Sequence, residues 1–359
     1  MVVSVVGLIS KDRVFSENEN RSLAQKPELS RETLVSGEWF RQMGDYLADQ
    51  FPGRDLWMSV NLRMNRMLGS KEFGGVYLCE DNYLMRVPAE PNTAATERNL
   101  KAMEQFAKVY PELNMVAAVV PNAVTVHAEL LPDNAPVRDQ REDLAWINQS
   151  LQRVTFADVT DKLLEHNTEE LFFRTDHHWT SLGAAYAYEE IAPALNLPTP
   201  PLSSYTRYTV SETFEGTLAS KSGCHGVLDT VEIFVPKTNI EYFVKYPDNG
   251  VEICSMYNRE ALEGKDHYTV FFGGNYSKLE ITTTADTGRN LLVFKDSYAN
   301  SFLQFLYPYY EQIIVVDPRY YYDNLQTVIT EGSITEVLFL YNLDTFLSDT
   351  SLADVLETA

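Results

Sequence analysis

Cysteine is scarce in this 359-residue sequence. The three residues, Cys79, Cys224 and Cys254, match neither a zinc-ligand spacing nor a disulfide framework, although one pair, Cys224 with Cys254, stays open. Long apolar runs are missing as well. No stretch of about 18 or more apolar residues occurs, so the sequence holds no complete transmembrane helix. Basic residues are few: 29 Lys plus Arg stand against 51 Asp plus Glu, for a formal charge of −22. A field of that sign repels phosphate backbones, which excludes nucleic acid as a default partner and disfavours anionic membrane surfaces. What remains is 45% hydrophobic and 22% charged, the composition of a chain that buries a sizeable core. The length fits one large α/β domain with an insertion, or two domains.

The start of the chain is nearly all apolar from Met1 to Ile9, then Lys11, Asp12 and Arg13 end the run. It lacks a basic lead and a small-residue cleavage site, so it is not a complete signal peptide. It reads either as a short buried strand or as the end of an export or anchor helix. Residues 1–30 are accordingly set apart as a stub and linker.

Residues 31–66 read as helical, interrupted by Phe51-Pro52-Gly53, and Val76–Leu78 with Tyr83–Met85 form a hairpin around Glu80-Asp81-Asn82. This helical lead-in runs from 31 to 85. An amphipathic helix at 93–110 precedes the apolar strand Asn114–Val120, whose continuous hydrophobicity suits a strand buried on both faces. Helices at 138–151, 161–166 and 181–195 alternate with strands at 153–159 and 171–173. Alternation resumes with strands at 291–295, 312–317 and 335–341 and helices at 298–307 and 321–331. That pattern predicts a mainly parallel sheet covered on both faces. Between about 201 and 290 the runs are β-rich and turn-punctuated, which reads as an insertion hanging off the sheet.

Two segments place reactive side chains in a useful backbone context. The first is Arg174-Thr175-Asp176-His177-His178-Trp179-Thr180-Ser181, after an apolar triplet and before a helix that Thr180 or Ser181 would cap. The second is Lys295-Asp296-Ser297-Tyr298-Ala299-Asn300-Ser301, where a buried strand passes into a helix at the sheet edge where ligands bind. The plain use of Asp296 or Ser297 there is a helix cap. Together the segments supply a nucleophile, a base and a group to orient the base: Ser297, His178 and Asp176. In an extended segment Asp176 and His178 share a side while His177 points away. A metal bound by Asp176, His177 and His178 is the rival arrangement, weakened by divergent imidazoles and the need for a distant fourth ligand.

Through these residues the sequence resembles the DHHW protein family, which takes its name from the motif at Asp176–Trp179, and is similar to the alginate O-acetyltransferase proteins. The shared segments include Asp49–Asp55, Gly75–Leu78, Gly216–Gly223 and Lys295–Ser301. The resemblance implies an SGNH-hydrolase-like three-layer α/β sandwich, circularly permuted because the Asp-x-His pair here precedes the nucleophile. Residues 31–359 would then form the catalytic domain. Lys295 stands where an SGNH nucleophile block has Gly. The family's oxyanion hole combines a backbone N–H with an Asn side chain, which puts Tyr298 N–H, Asn342, Asn275 and Asn122 forward as donors, in that order among the asparagines.

The implied activity is extracytoplasmic O-acetyl transfer to a cell-surface polysaccharide through an acetyl-Ser297 intermediate, without a cofactor. A membrane-bound O-acyltransferase would supply the acetyl group, and a missing or truncated N-terminal helix would anchor the protein. The rivals are a carbohydrate O-acetylesterase with the same site and a non-catalytic polysaccharide-binding or assembly subunit. The 21 tyrosines, clustered at 307–310 and 320–322, suit either sugar stacking or ordinary packing.

Overall fold

The computed structural model describes residues 12–16, 21–246 and 250–359. The apolar run Met1–Ile9 and residues 17–20 of the polar stretch lie outside them. At the centre is an eight-stranded sheet built from β1 (Asn114–Val120), β2 (Thr155–Phe156), β5 (Tyr242–Tyr246), β6 (Val251–Ile253), β7 (Lys278–Thr283), β8 (Asn290–Lys295), β9 (Gln312–Val316) and β10 (Glu336–Asn342), with a separate ribbon, β3 (Tyr205–Phe214) and β4 (Asp229–Pro236). The order across the sheet is β6-β5-β7-β9-β8-β10-β1-β2. From β9 to β2 every pairing is parallel, and β5, β6 and β7 extend that sheet antiparallel.

Apolar side chains on both sides of each strand explain the parallel core. Leu291 and Val293 of β8 join one buried cluster with Val116, Ala118, Leu338 and Leu340; Leu292 and Phe294 join the other. Successive residues face opposite layers, so a strand with no polar position has to be covered twice. Helix Ser181–Ala194 covers the first face and helix Thr93–Val109 the second. On the second face Phe294 stacks on Phe339 at 5.1 Å and meets Phe106 edge-on at 6.2 Å.

Several sequence expectations change. The β-rich stretch does not simply hang off the sheet: β5, β6 and β7 complete it, and only β3 and β4 stand apart as a ribbon. Leu171–Phe173 is no sheet strand; Phe172 makes a single bridge to Trp179 that closes a tight loop. The strand foreseen at 153–159 shortens to Thr155–Phe156. The helix foreseen at 298–307 is one α turn, Ala299–Phe302, continued by 3-10 turns. Cys224 and Cys254 are not joined: all three cysteines are free, and Cys254 is exposed. The lead-in resolves into Arg31–Val35, α1 (Glu38–Asp49) and α2 (Arg54–Met67), with Gly53 turning the chain at φ 68°. No helix among the described residues is long and apolar enough to cross a membrane.

Candidate active site

Three neighbouring parallel strands, β8, β10 and β1, end at the same edge, in register Lys295 with Leu340 and Asn342 with Val120. Ser297 follows β8 there and is the one half-exposed position in an otherwise buried run from Leu291 to Leu306. Asp296 anchors the turn: its carboxylate accepts from Tyr298 N–H and from Asn342 N–H, each at 2.9 Å. Burial holds the Asp296 carboxyl above its ordinary range.

The Asp-His-His loop is pinned from below. Phe173 N–H donates to the His178 carbonyl and Thr180 N–H to the Leu171 carbonyl, while the Thr180 hydroxyl caps the following helix by accepting from Gly183 N–H. Trp179 is wholly buried and donates its indole N–H to the Tyr298 carbonyl at 2.9 Å. Tyr298 returns a hydrogen bond from its hydroxyl to the His177 carbonyl. The two motifs are thus laced together although 119 residues separate Trp179 from Tyr298.

The chain brings Ser297, His178 and Asp176 into one line. Ser297 Oγ lies 2.7 Å from His178 Nε2, and His178 Nδ1 lies 2.6 Å from Asp176 Oδ1. Asp176 is buried, which by itself raises a carboxyl, but the imidazoles of His177 and His178 and the N–H of Thr217 hold it well below its usual range. An ionised Asp176 accepts only, so Nδ1 of His178 carries the proton and Nε2 is left to accept from the Ser297 hydroxyl. Tyr268 lies flat on the His178 ring, 3.8 Å between centroids and 12° from parallel, and its hydroxyl donates to the Ser297 carbonyl at 2.8 Å.

His177 does not point away as an extended segment would require. The loop is tight, so its ring sits 3.9 Å from that of His178. One ligand atom each from Asp176, His177 and His178 falls within 4.8 Å of the other two, close enough for the three to share a cation. Both nitrogens of His178 are nevertheless already committed to Asp176 and Ser297, so a cation there would have to displace one of them. Burial and the neighbouring imidazole hold the His177 ring below its ordinary pKa.

The residues that complete the support carry no local signal of a role, apart from Thr217's place in the Gly216–Gly223 segment. Thr217 donates to Asp176 Oδ2 twice, from N–H at 2.7 Å and from its hydroxyl at 2.9 Å. That hydroxyl has a single proton, so its 2.9 Å contact with His177 Nδ1 is one in which the imidazole donates. Upstream, the Asp229 carboxylate accepts from Arg174 N–H, Thr175 N–H and the Thr175 hydroxyl, and Thr175 Oγ1 accepts from Gly216 N–H. Tyr268, Thr217 and Asp229 all come from the β-rich stretch. Nothing in local sequence ties them to positions 176–178; only the chain path does.

The expected oxyanion donors fare differently. Tyr298 N–H is occupied by Asp296. The Asn342 side chain caps the following helix by accepting from Asp344 N–H and bonds to the Asn122 Oδ1. Asn275 is exposed, and its Oδ1 accepts from Lys295 Nζ at 2.8 Å and Asn300 Nδ2 at 3.2 Å, which turns its NH2 away from the lysine. The Ser297 N–H has no acceptor among the described residues. Lys295, standing in the Gly position, is fully buried; burial pushes its ammonium down to about 8 against the attraction of Asp317.

Comparison with known proteins places this architecture. A family profile described as "SGNH hydrolase-like domain, acetyltransferase AlgX" matches residues 80–243, a span that includes the Asp-His-His loop and stops short of Ser297. A DHHW family protein from Eubacterium siraeum superposes with a TM-score of 0.69 at 24% identity, covering 80% of this chain and 96% of that one. Bacillus cereus PatB1, in a structure with a sulfonyl adduct, superposes with a TM-score of 0.64 at 21% identity, covering 77% and 97%. The fold is that of an SGNH hydrolase-like protein. Within that class the chain resembles the DHHW proteins and the alginate-acetylation proteins. It is 24% identical over 188 residues to a probable alginate O-acetylase, AlgJ, of Pseudomonas syringae pv. tomato, and covers 47% of that protein, about half its length.

Proposed function

We propose that this protein moves acetyl groups to or from a carbohydrate through an acetyl-Ser297 intermediate. The single observation that carries the reading is the continuous hydrogen-bond line from Ser297 Oγ through His178 to an ionised Asp176. Ser297 Oγ attacks the carbonyl carbon of an acetyl ester while its proton passes to His178 Nε2. Asp176 steadies the imidazolium through Nδ1–H. The tetrahedral oxyanion meets the Ser297 N–H and the NH2 of Asn275. As the intermediate collapses, the C–O bond to the donor alcohol breaks and His178 protonates the departing oxygen. An acceptor hydroxyl then gives its proton to His178, attacks the acetyl carbon and releases Ser297 with its proton restored.

A sugar hydroxyl as acceptor makes the protein an O-acetyltransferase, the reading favoured by its similarity to a probable alginate O-acetylase; water makes it an acetylesterase. The transferase reading takes a cell-surface polysaccharide as substrate, an extracytoplasmic location, and a membrane-bound O-acyltransferase as the source of acetyl groups.

The test is turnover of an activated acetyl ester, with and without oligosaccharides of the native surface polymer. Slow hydrolysis, faster ester turnover with sugar present, and an acetylated sugar product are expected. Ser297→Ala should lose both activities, and wild-type protein quenched in acid should carry one acetyl group on Ser297. Efficient hydrolysis with no acetylated sugar would leave the esterase. Polymer binding with no turnover of any ester would leave an assembly subunit.

A further inference from the structure

The lead-in carries a surface that the site does not use. Of the 21 large hydrophobic residues that are exposed among the described residues, eleven lie between Leu34 and Leu68, about a tenth of the chain. The densest group is on α2 (Arg54–Met67), a 14-residue helix that buries none of its residues. At 100° per residue Leu56, Trp57, Val60, Met64, Met67 and Leu68 fall within an arc of roughly 120°. The opposite side of the helix carries Met58 and Leu62, both half-buried, and it is the side turned to the protein. The outward arc is far more open: Trp57 is 56% exposed, Met64 58%, Met67 88% and Leu68 82%. An apolar stripe of this extent on the solvent side of a helix marks an interaction surface.

Charge selects among occupants. From Arg54 to Lys71 the chain has four basic residues (Arg54, Arg63, Arg66 and Lys71) and one acid, Asp55, a net of +3 on a chain of −22. A second copy would press this net-positive helix against itself. A bilayer with anionic headgroups instead meets Arg63 at the border of a Trp- and Met-bearing stripe, the composition of helices that lie in the membrane interface. The acidic remainder does not forbid this contact, because its field fades within about 8 Å at physiological ionic strength; it favours an orientation with α2 towards the lipid. We propose that the outward face of α2 seats the protein on a lipid bilayer, its apolar stripe in the interface and Arg63 among anionic headgroups. The proposal is independent of the acetyl chemistry.

The full chain is mixed with vesicles of phosphatidylcholine, alone or with an equal share of phosphatidylglycerol, and bound protein is read by cosedimentation. Wild type should bind the mixed vesicles. A Trp57→Ser, Met64→Ser, Met67→Ser triple variant should bind roughly tenfold or more weakly, since interfacial affinity follows buried apolar area. Its thermal melt and acetyl-ester turnover serve as fold controls, because none of the three residues touches the site. If the triple variant fails to fold, Arg63→Glu is the second arm: binding to mixed vesicles should fall while binding to pure phosphatidylcholine holds. Brominated acyl chains should quench wild-type tryptophan fluorescence more than that of Trp57→Phe. Absence of wild-type binding, equal binding by the folded triple variant, or no response of mixed-vesicle binding to the charge reversal overturns the proposal. So does a lipid-free dimer that the triple variant dissolves, since a second copy would then cover the face.

Discussion

Gly216→Ala isolates the placement of Asp176 from its chemistry. Gly216 has φ −82° and ψ −171°, extended backbone that any residue adopts, so alanine brings no conformational strain. Space is the obstacle. A Cβ at position 216 would lie 2.3 Å from Asp176 Cβ, 2.6 Å from its Oδ2 and 2.8 Å from its Cα. Ordinary contact begins near 3.4 Å, so Asp176 or the 216–217 turn has to give by roughly 1 Å. The turn also supplies both Thr217 hydrogen bonds to Asp176, and they move with it. A misplacement of about 1 Å at a catalytic constellation costs on the order of 10²-fold, or about 2.7 kcal/mol of transition-state stabilisation. Overpacking at one buried point costs about 1–3 kcal/mol of stability, which in a chain of this size lowers the melting temperature by only a few degrees. Initial rates on an activated acetyl ester, with a thermal melt on the same sample, read both numbers. A folded Gly216→Ala protein with kcat/KM within about threefold of wild type would refute the argument, because Asp176 would then have no required position.

Other outcomes follow from the same network. Thr217→Val removes one charge-assisted hydrogen bond to Asp176, worth about 1.5–3 kcal/mol, so kcat/KM should fall about 10- to 100-fold while Thr217→Ser stays near wild type; equal rates for Val and Ser would mean that the hydroxyl positions nothing. His178→Ala should abolish acetyl turnover, whereas His177→Ala should retain most of it, and the reverse result would transfer the base role to His177. Lys295 sets a pH dependence. Its folded pKa is held down near 8 against 10.5 unfolded, so the unfolded state binds more protons between those values and stability should rise with pH across that window. The gain approaches roughly 3 kcal/mol and should vanish in Lys295→Met, as urea unfolding from pH 7 to 10.5 would show; an unchanged profile in that variant would exclude Lys295 as the source. Dialysis against EDTA should leave ester turnover intact, since both His178 nitrogens are already bound within the protein; loss that added zinc restores would favour the metal arrangement instead.

Local pattern carried the parts of this protein that depend on neighbours in the chain. Continuous apolar runs at Asn114–Val120, Asn290–Lys295 and Glu336–Asn342 had to be doubly covered strands, and a residue placed just after such a run, Ser297, had to sit at a strand end. Thr180 or Ser181 announced the following helix by residue type, and the structure makes Thr180 its cap. The Asp-His-His-Trp and Lys-Asp-Ser segments are conspicuous as chemistry in the sequence alone. Tertiary structure decided what no periodicity encodes. The period-two argument paired Asp176 with His178 but sent His177 the wrong way, because a loop closed by the Phe172–Trp179 bridge is not an extended strand. Asn342 looked free as a strand-end residue until its side chain was spent on Asn122 and a helix cap. Residues 201–290 looked like an appendage, yet they close the sheet with β5–β7 and bring Thr217 and Tyr268 against the Asp-His pair across gaps of 41 and 90 positions. Hydrogen bonds over such separations depend on where the chain returns, and that is settled by packing of the whole core, not by any segment read alone.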